Sequence, residues 1–231
     1  MNDLARLRLY QLVSPALPVG AFSYSEGLEV LLQSDRLAGV QPLEAWLRAE
    51  LCRGAVALEA AALAPLQQQL FRWSGGAEGA VAAAAAVLDL DGWLLAQREA
   101  PELRAQQRQM GQSLLQLLAD LGFALPRGSS PRPLAWPCAF AWAACSLELT
   151  SPAVEEAYLY GWVANQISAA VRLVPLGPTQ GQRLQLQLAP LIAERAAALA
   201  AADPQSLWTG GVGAGMAQLG HAELYSRLFR S

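Results

Sequence analysis

The sequence predicts an all-α fold, one multi-helix globular domain of roughly eight to ten helices, and three observations carry that expectation. Apolar residues recur at three- and four-residue spacing through most of the 231 residues. Clusters of proline and glycine cut this pattern into segments of helical length. Windows that alternate like a strand, such as Arg183-Leu184-Gln185-Leu186-Gln187-Leu188, are brief and flanked by helix formers. No fixed-period repeat divides the chain.

In chain order, residues 3–13 read as a short helix with Leu4, Leu7, Leu9 and Leu12 on its apolar side. Pro15 and Pro18 end it, since each fixes φ and removes a backbone donor. Gly20 permits a positive φ, and Ser23 with Glu26 three residues on reads as a capping box for a second helix running to about Ser34. Tyr24, Leu28, Leu31 and Leu32 give that helix its stripe. Gly27 inside it costs about 1 kcal/mol relative to alanine, so a close neighbour is expected there. Pro42 suits the first turn of a third helix, with Leu43, Trp46, Leu47 and Leu51 buried. Gly54 interrupts before a helix over 56–72 with a bend at Pro65.

Gly75-Gly76 marks a break, followed by an alanine-dense helix over 77–99 and another over 101–121 opened by Pro101. Residues 124–133 form a loop, and 134–147 a short helix. Ser151-Pro152 starts a long helix to about Leu173. On it Ala157, Gly161, Ala164 and Ser168 make a seam of small residues for a neighbouring helix, flanked by Tyr160, Val163, Ile167 and Val171. A turn over 174–183 precedes a helix over 180–202 that is broken by Asp203-Pro204. With five glycines, 209–220 reads as a mobile linker. In 221–231, Leu224, Tyr225, Leu228 and Phe229 share one helical face, too short to be stable without docking. The expected organisation is therefore a helical domain over 1–208 and a Gly-rich linker with a C-terminal docking tail over 209–231.

Composition excludes more than it selects. Hydrophobic residues make up 54% and charged residues 15%, and mean hydropathy is +0.24. No uncharged apolar run reaches the length of a membrane span, and the opening residues lack a signal-peptide layout, so a cytoplasmic protein is expected. Its surplus apolar surface points to protein partners. The net charge of −3, without an acidic or basic block, gives no nucleic-acid footprint. All sixteen basic residues are arginine, which removes the P-loop lysine and every Schiff-base mechanism. Cys52, Cys138 and Cys145 are too sparse for a disulfide framework.

Sites for chemistry are sought and mostly not found. The glycines at 210, 211, 213, 215 and 220 do not fit Gly-x-Gly-x-x-Gly, so no nucleotide or other cofactor is expected. Cys138 and Cys145 are spaced wrongly for zinc, and His221 is solitary, so no metal site is expected. Asp89/Asp91 and Glu155/Glu156 do not share a helix face and read as solvated charges. Asp91, Glu99 and Glu102 could gather at the corner near residue 100, which keeps open a helical hydrolase or lyase using the 77–102 carboxylates. A membrane-surface or transcriptional module would instead need an arginine-lined face. No catalytic residue is assigned, and a self-sufficient enzyme is not expected.

The stretch Ser14-Pro15-Ala16-Leu17-Pro18-Val19-Gly20-Ala21-Phe22-Ser23-Tyr24-Ser25-Glu26-Gly27-Leu28-Glu29 resembles the N-terminal signature of the urease accessory proteins called UreF. Glu102-Leu103-Arg104 with Met110-Gly111, the run Asn165–Gly177, the turn Leu176–Gln182 and the end Tyr225–Ser231 are similar to further blocks of that family. Pro178 stands where the family commonly has glutamine, and Gln106 and Gln107 where a small hydroxyl residue is often seen. The resemblance implies a dimer-forming helical scaffold in nickel-urease maturation. Such a scaffold bridges a UreD-type protein (also called UreH) and the GTPase UreG, and through that complex meets apo-urease. It implies partner contacts at Tyr225, Arg227, Leu228, Phe229 and Arg230 for the UreD-type protein. Around Phe22, Tyr24 and Glu29, and around Arg172, Gly177, Thr179, Gln182 and Arg183, it implies the dimer or GTPase border.

Overall fold

The computed structural model describes residues 2–37, 39–76, 79–126, 133–173 and 176–231. Among them are ten α-helices, three 3-10 turns and no strand, so the all-α expectation holds. The helices are α1 Asp3–Leu12, α2 Leu28–Gln33, α3 Val40–Arg53, α4 Ala55–Ser74, α5 Ala80–Ala96, α6 Pro101–Asp120, α7 Trp136–Ser146, α8 Ala153–Leu173, α9 Pro178–Ala200 and α10 Val212–Gly220.

Helix α4 is the axis. Every residue from Val56 to Leu63 is buried, the pattern of a helix apolar all round and enclosed on all sides. It packs against α3, α5, α7, α8 and α9. Leu43, Leu47 and Leu51 of α3 are buried as their spacing predicts, while Trp46 of the same expected stripe is only half-buried. Helix α6 lies along α7, and α8 along α9. At the second contact Gly181 lets α9 approach closely, since a Cβ there would lie 3.0 Å from Ile167 Cγ2. Pro178 is the first residue of α9, a position where its missing N–H is no loss, and the Gly177 amide donates to Gln180 Oε1 (2.9 Å).

Several expectations change. In α1 only Leu9 and Leu12 are buried, while Leu4 and Leu7 stay more than half exposed. Among the described residues the α8 seam is seated only in part: Ala157 is buried, but Gly161 has open space where a Cβ would be, and Ser168 is exposed. Residues 212–220, read as linker, form α10, which packs on α2. Of its glycines Gly215 admits a close neighbour, Glu99 Oε2 lying 2.7 Å from the place of its Cβ, while Gly213 has open space there. The tail is not an amphipathic helix. After a 3-10 turn at His221–Glu223 it runs irregularly, with Phe229 buried and Tyr225 wholly exposed. Part of the 124–133 loop, residues 127–132, lies outside the described residues, as do 174 and 175 of the 174–183 turn.

Candidate functional site

The signature stretch folds by backbone geometry. Gly20 (φ 73°) enters a single 3-10 turn, Ala21–Ser23. Glu26 (φ 52°) and Gly27 (φ 87°) are then left-handed in succession, and α2 begins only at Leu28. The expected capping box is therefore absent: Ser23 lies outside the helix start, and Glu26 turns its carboxylate into the protein. A left-handed glutamate is costly and persists only where its surroundings hold it. The close neighbour expected at Gly27 is there, because a Cβ would sit 2.9 Å from the Gln218 amide nitrogen of α10.

What holds Glu26 is a buried polar cluster. Gln106 Nε2 donates to Glu26 Oε1 (2.8 Å) and Trp162 Nε1 to Oε2 (3.1 Å), with Arg98 Nη1 3.7 Å away. Arg98 Nε also donates to Glu59 Oε1 (2.9 Å), which receives Gln107 Nε2 (3.2 Å) as well, while Tyr158 hydroxyl donates to Glu59 Oε2 (2.8 Å). Gln106 and Gln107 thus supply amide donors to the two glutamates. Burial raises the Glu59 carboxyl above its ordinary value despite Arg98. Burial would lower Arg98, yet Glu59 and Glu26 outweigh it and hold the guanidinium above its ordinary value. Burial, then Glu59, push Tyr158 up. Glu50 on α3 borders this cluster, and desolvation lifts it to about 7.

The tail closes over the same stretch. Glu29 is buried and accepts from the Leu228 amide (2.7 Å) and the Phe229 amide (3.1 Å). Arg230 N donates to Ser23 O (2.9 Å), and Ser25 donates to Ser231 O through both its amide (2.9 Å) and its hydroxyl (2.6 Å). Ser231 Oγ donates to Gln106 Oε1 (2.6 Å), so one glutamine joins the tail to Glu26. Arg172 donates to Phe22 O (2.9 Å) and lies 4.5 Å from the centre of the Phe229 ring. His221, wholly buried, has Nδ1 2.8 Å from Glu102 Oε2 and Nε2 3.5 Å from Glu29 Oε2; Arg227 bonds Glu102 Oε1 (3.0 Å).

Residues read as two surfaces therefore meet. Phe22, Glu29, Arg172, Arg227, Leu228, Phe229 and Arg230 lie around one seam between signature stretch and tail. Tyr24 is buried beneath it, its carbonyl accepting from Asn165 (3.4 Å). Tyr225 projects fully into solvent, and Phe22 and Leu228 are more than half exposed. Thr179, Gln182 and Arg183 are exposed on the first turns of α9, after Gly177. Sequence reasoning missed Glu59, Arg98, His221 and the inward turn of Glu26. The signal available for Glu59 was a charge amid a uniformly apolar run.

The carboxylates weighed for hydrolysis do not share a site. Asp91 is buried and accepts from the Ala135 amide (2.8 Å), with burial raising it to about 6. Glu102 is taken by His221 and Arg227, and Glu99 is exposed. Glu155 is also buried, receiving the Ser151 hydroxyl (2.7 Å), so neither it nor Asp91 is a solvated charge. Among the described residues no group of three or more His, Cys, Asp or Glu is placed to hold a metal, and no helix is long and apolar enough to cross a membrane.

Comparison with known proteins agrees with the sequence blocks. A sequence model of the UreF family matches residues 38–189. The urease accessory protein UreF of Alkalilimnicola ehrlichii is 38% identical over 229 residues, covering 99% of this chain and 96% of its own length. Those of Synechocystis sp. and Trichormus variabilis are 37% and 39% identical, each over 100% of this chain and 100% and 98% of their own lengths. The signature stretch and the tail lie outside the residues matched by the family model but inside these full-length likenesses. The chain belongs to the UreF family of urease accessory proteins.

Proposed function

We infer that this chain is a scaffold in urease maturation that holds a UreD-type protein and the UreG-type GTPase in one complex with apo-urease, acting in the cytoplasm as a homodimer. Nickel is the cargo of that complex, and this chain contributes position. One observation favours this reading above others: the tail is clasped to the signature stretch by main-chain hydrogen bonds, while Phe22, Tyr225 and Leu228 face outward beside it. Exposed aromatic and aliphatic side chains on an ordered backbone make an anchor surface. The arginines nearby add bidentate donors. A scaffold of this kind regulates a GTPase by binding one nucleotide state more tightly than the other.

The test uses Tyr225 and Leu228, because neither is buried. The double variant Tyr225→Ala with Leu228→Ala retains the wild-type circular dichroism spectrum and melting curve. Its affinity for a UreD-type partner, measured by calorimetry, falls at least tenfold, as loss of one or two anchor side chains implies. Undiminished binding removes the tail from the contact.

A further inference from the structure

Glu50 sits where three segments meet: the end of α3, the start of α4 and the entry to α10. Its Oε2 occupies the space that a Cβ at Gly54 would need, and its Oε1 lies 3.7 Å from the corresponding point at Gly211. At Gly54 only glycine backbone fits against that carboxyl, and Gly211 lies within ordinary van der Waals reach of it. The Gly210 amide donates to Arg53 O (2.9 Å), and the Arg53 stem lies against Gly210. We propose that Glu50 is a proton-operated gate for docking of residues 209–215: neutral, it lets the Gly210–Gly211 segment close over it; charged, it drives that segment open to water.

The geometry gives the gate its sense. Charge acts on Glu50 from Arg98 and Arg53, which favour the carboxylate, and from Glu26, which opposes it. Glu59 on α4 shares Arg98, so three carboxylates face one buried guanidinium. On α9, Arg195 is occupied with the carbonyls of Leu51 and Cys52. Moving the glycine segment away is the simplest way to rehydrate the carboxylate, since Gly211 is the part of its cover outside the packed α3–α4 corner. Desolvation raises the docked value to about 7 against 4.5 in water. A raised carboxyl favours the docked form fully below 4.5, and the preference is lost as pH rises towards and through about 7.

Amide exchange in the full-length protein reads this directly, with Gly210 as reporter because its amide bonds Arg53 O (2.9 Å) across the contact between the segment and α3. With intrinsic exchange divided out, protection of Gly210 falls by up to about tenfold per pH unit between about pH 5 and 7 and levels above that. The Glu50→Gln variant shows high protection and no such slope. In the wild-type chain, the Glu50 side-chain carboxyl signal titrates with a midpoint near 7. Flat wild-type protection, an equal slope in the variant, a midpoint below about 5, or exchange of Gly210 only together with core amides such as Val163 would each overturn the gate. The inference does not depend on which protein the tail contacts.

Discussion

Glycine acts at opposite extremes at two positions. Gly27 is left-handed and lies against the Gln218 backbone, so a side chain there meets both strain and a wall that cannot swing aside. Left-handed strain alone is about 1–2 kcal/mol. Gly27→Ala is expected to lower unfolding free energy by about 2–4 kcal/mol in urea titration, near the upper range of single substitutions. Gly161 is the contrasting case, because it lies within α8 and nothing approaches the place of its Cβ. Gly161→Ala should stabilise the monomer by about 0.5–1 kcal/mol, the propensity difference alone. Arg98 is the other residue whose removal is severe. It is buried with Glu59 and Glu26, and Arg98→Met leaves both carboxylates without their counter-charge, for a loss of about 3–5 kcal/mol.

Elements were legible in the sequence where local pattern and tertiary packing agree. Helices α3, α6 and α8 begin and end within two residues of their expected bounds, since Pro42, Pro101 and Pro152 announce their starts. Helix α10 was not legible, because its glycines argue locally for coil. Tertiary contacts override that signal: Gly215 lies against Glu99, and α10 brings Gln218 against Gly27 from the far end of the chain. Likewise, nothing in Ser23–Glu26 tells a capping box from a turn whose glutamate points inward. Gln106, Trp162 and Arg98 decide that, and they lie far along the chain. The tail shows the same logic, held by Glu29 rather than by its own helicity. Glu29→Ala removes the acceptor of two amides, and charged hydrogen bonds are worth about 1.5–3 kcal/mol each. Tryptic cleavage after Arg227 should accelerate at least tenfold in that variant, with the melting of α8 and α9 little changed. Equal cleavage rates would mean Glu29 does not hold the tail.

At the scale of the whole molecule, the buried carboxyls predict a pH dependence opposite in sign to ordinary acid denaturation. Stability usually falls in acid because native carboxylates are paired and their values depressed. Here the resolved carboxyl shifts are upward. Burial takes Glu50 to about 7 and Asp91 to about 6, and raises Glu59 and Glu155 as well. In each case the folded value exceeds the unfolded one. The native state therefore holds protons that the unfolded chain has released. Its advantage is complete below about pH 4 and is lost as pH rises through about 6 to 7. Each unit of separation corresponds to about 1.4 kcal/mol. Unfolding free energy should fall by about 2–4 kcal/mol between about pH 5 and pH 8, read as a drop in the urea midpoint at constant slope. The double variant Glu50→Gln with Asp91→Asn keeps the shape of both side chains, and the amide oxygen introduced at position 91 can still accept from Ala135. Its midpoint should vary less with pH, the remaining dependence coming from Glu59 and Glu155. A wild-type midpoint that instead rises over the same pH range would mean that these carboxyls stay ionised in the folded protein and that Arg98 and the helix ends offset their burial.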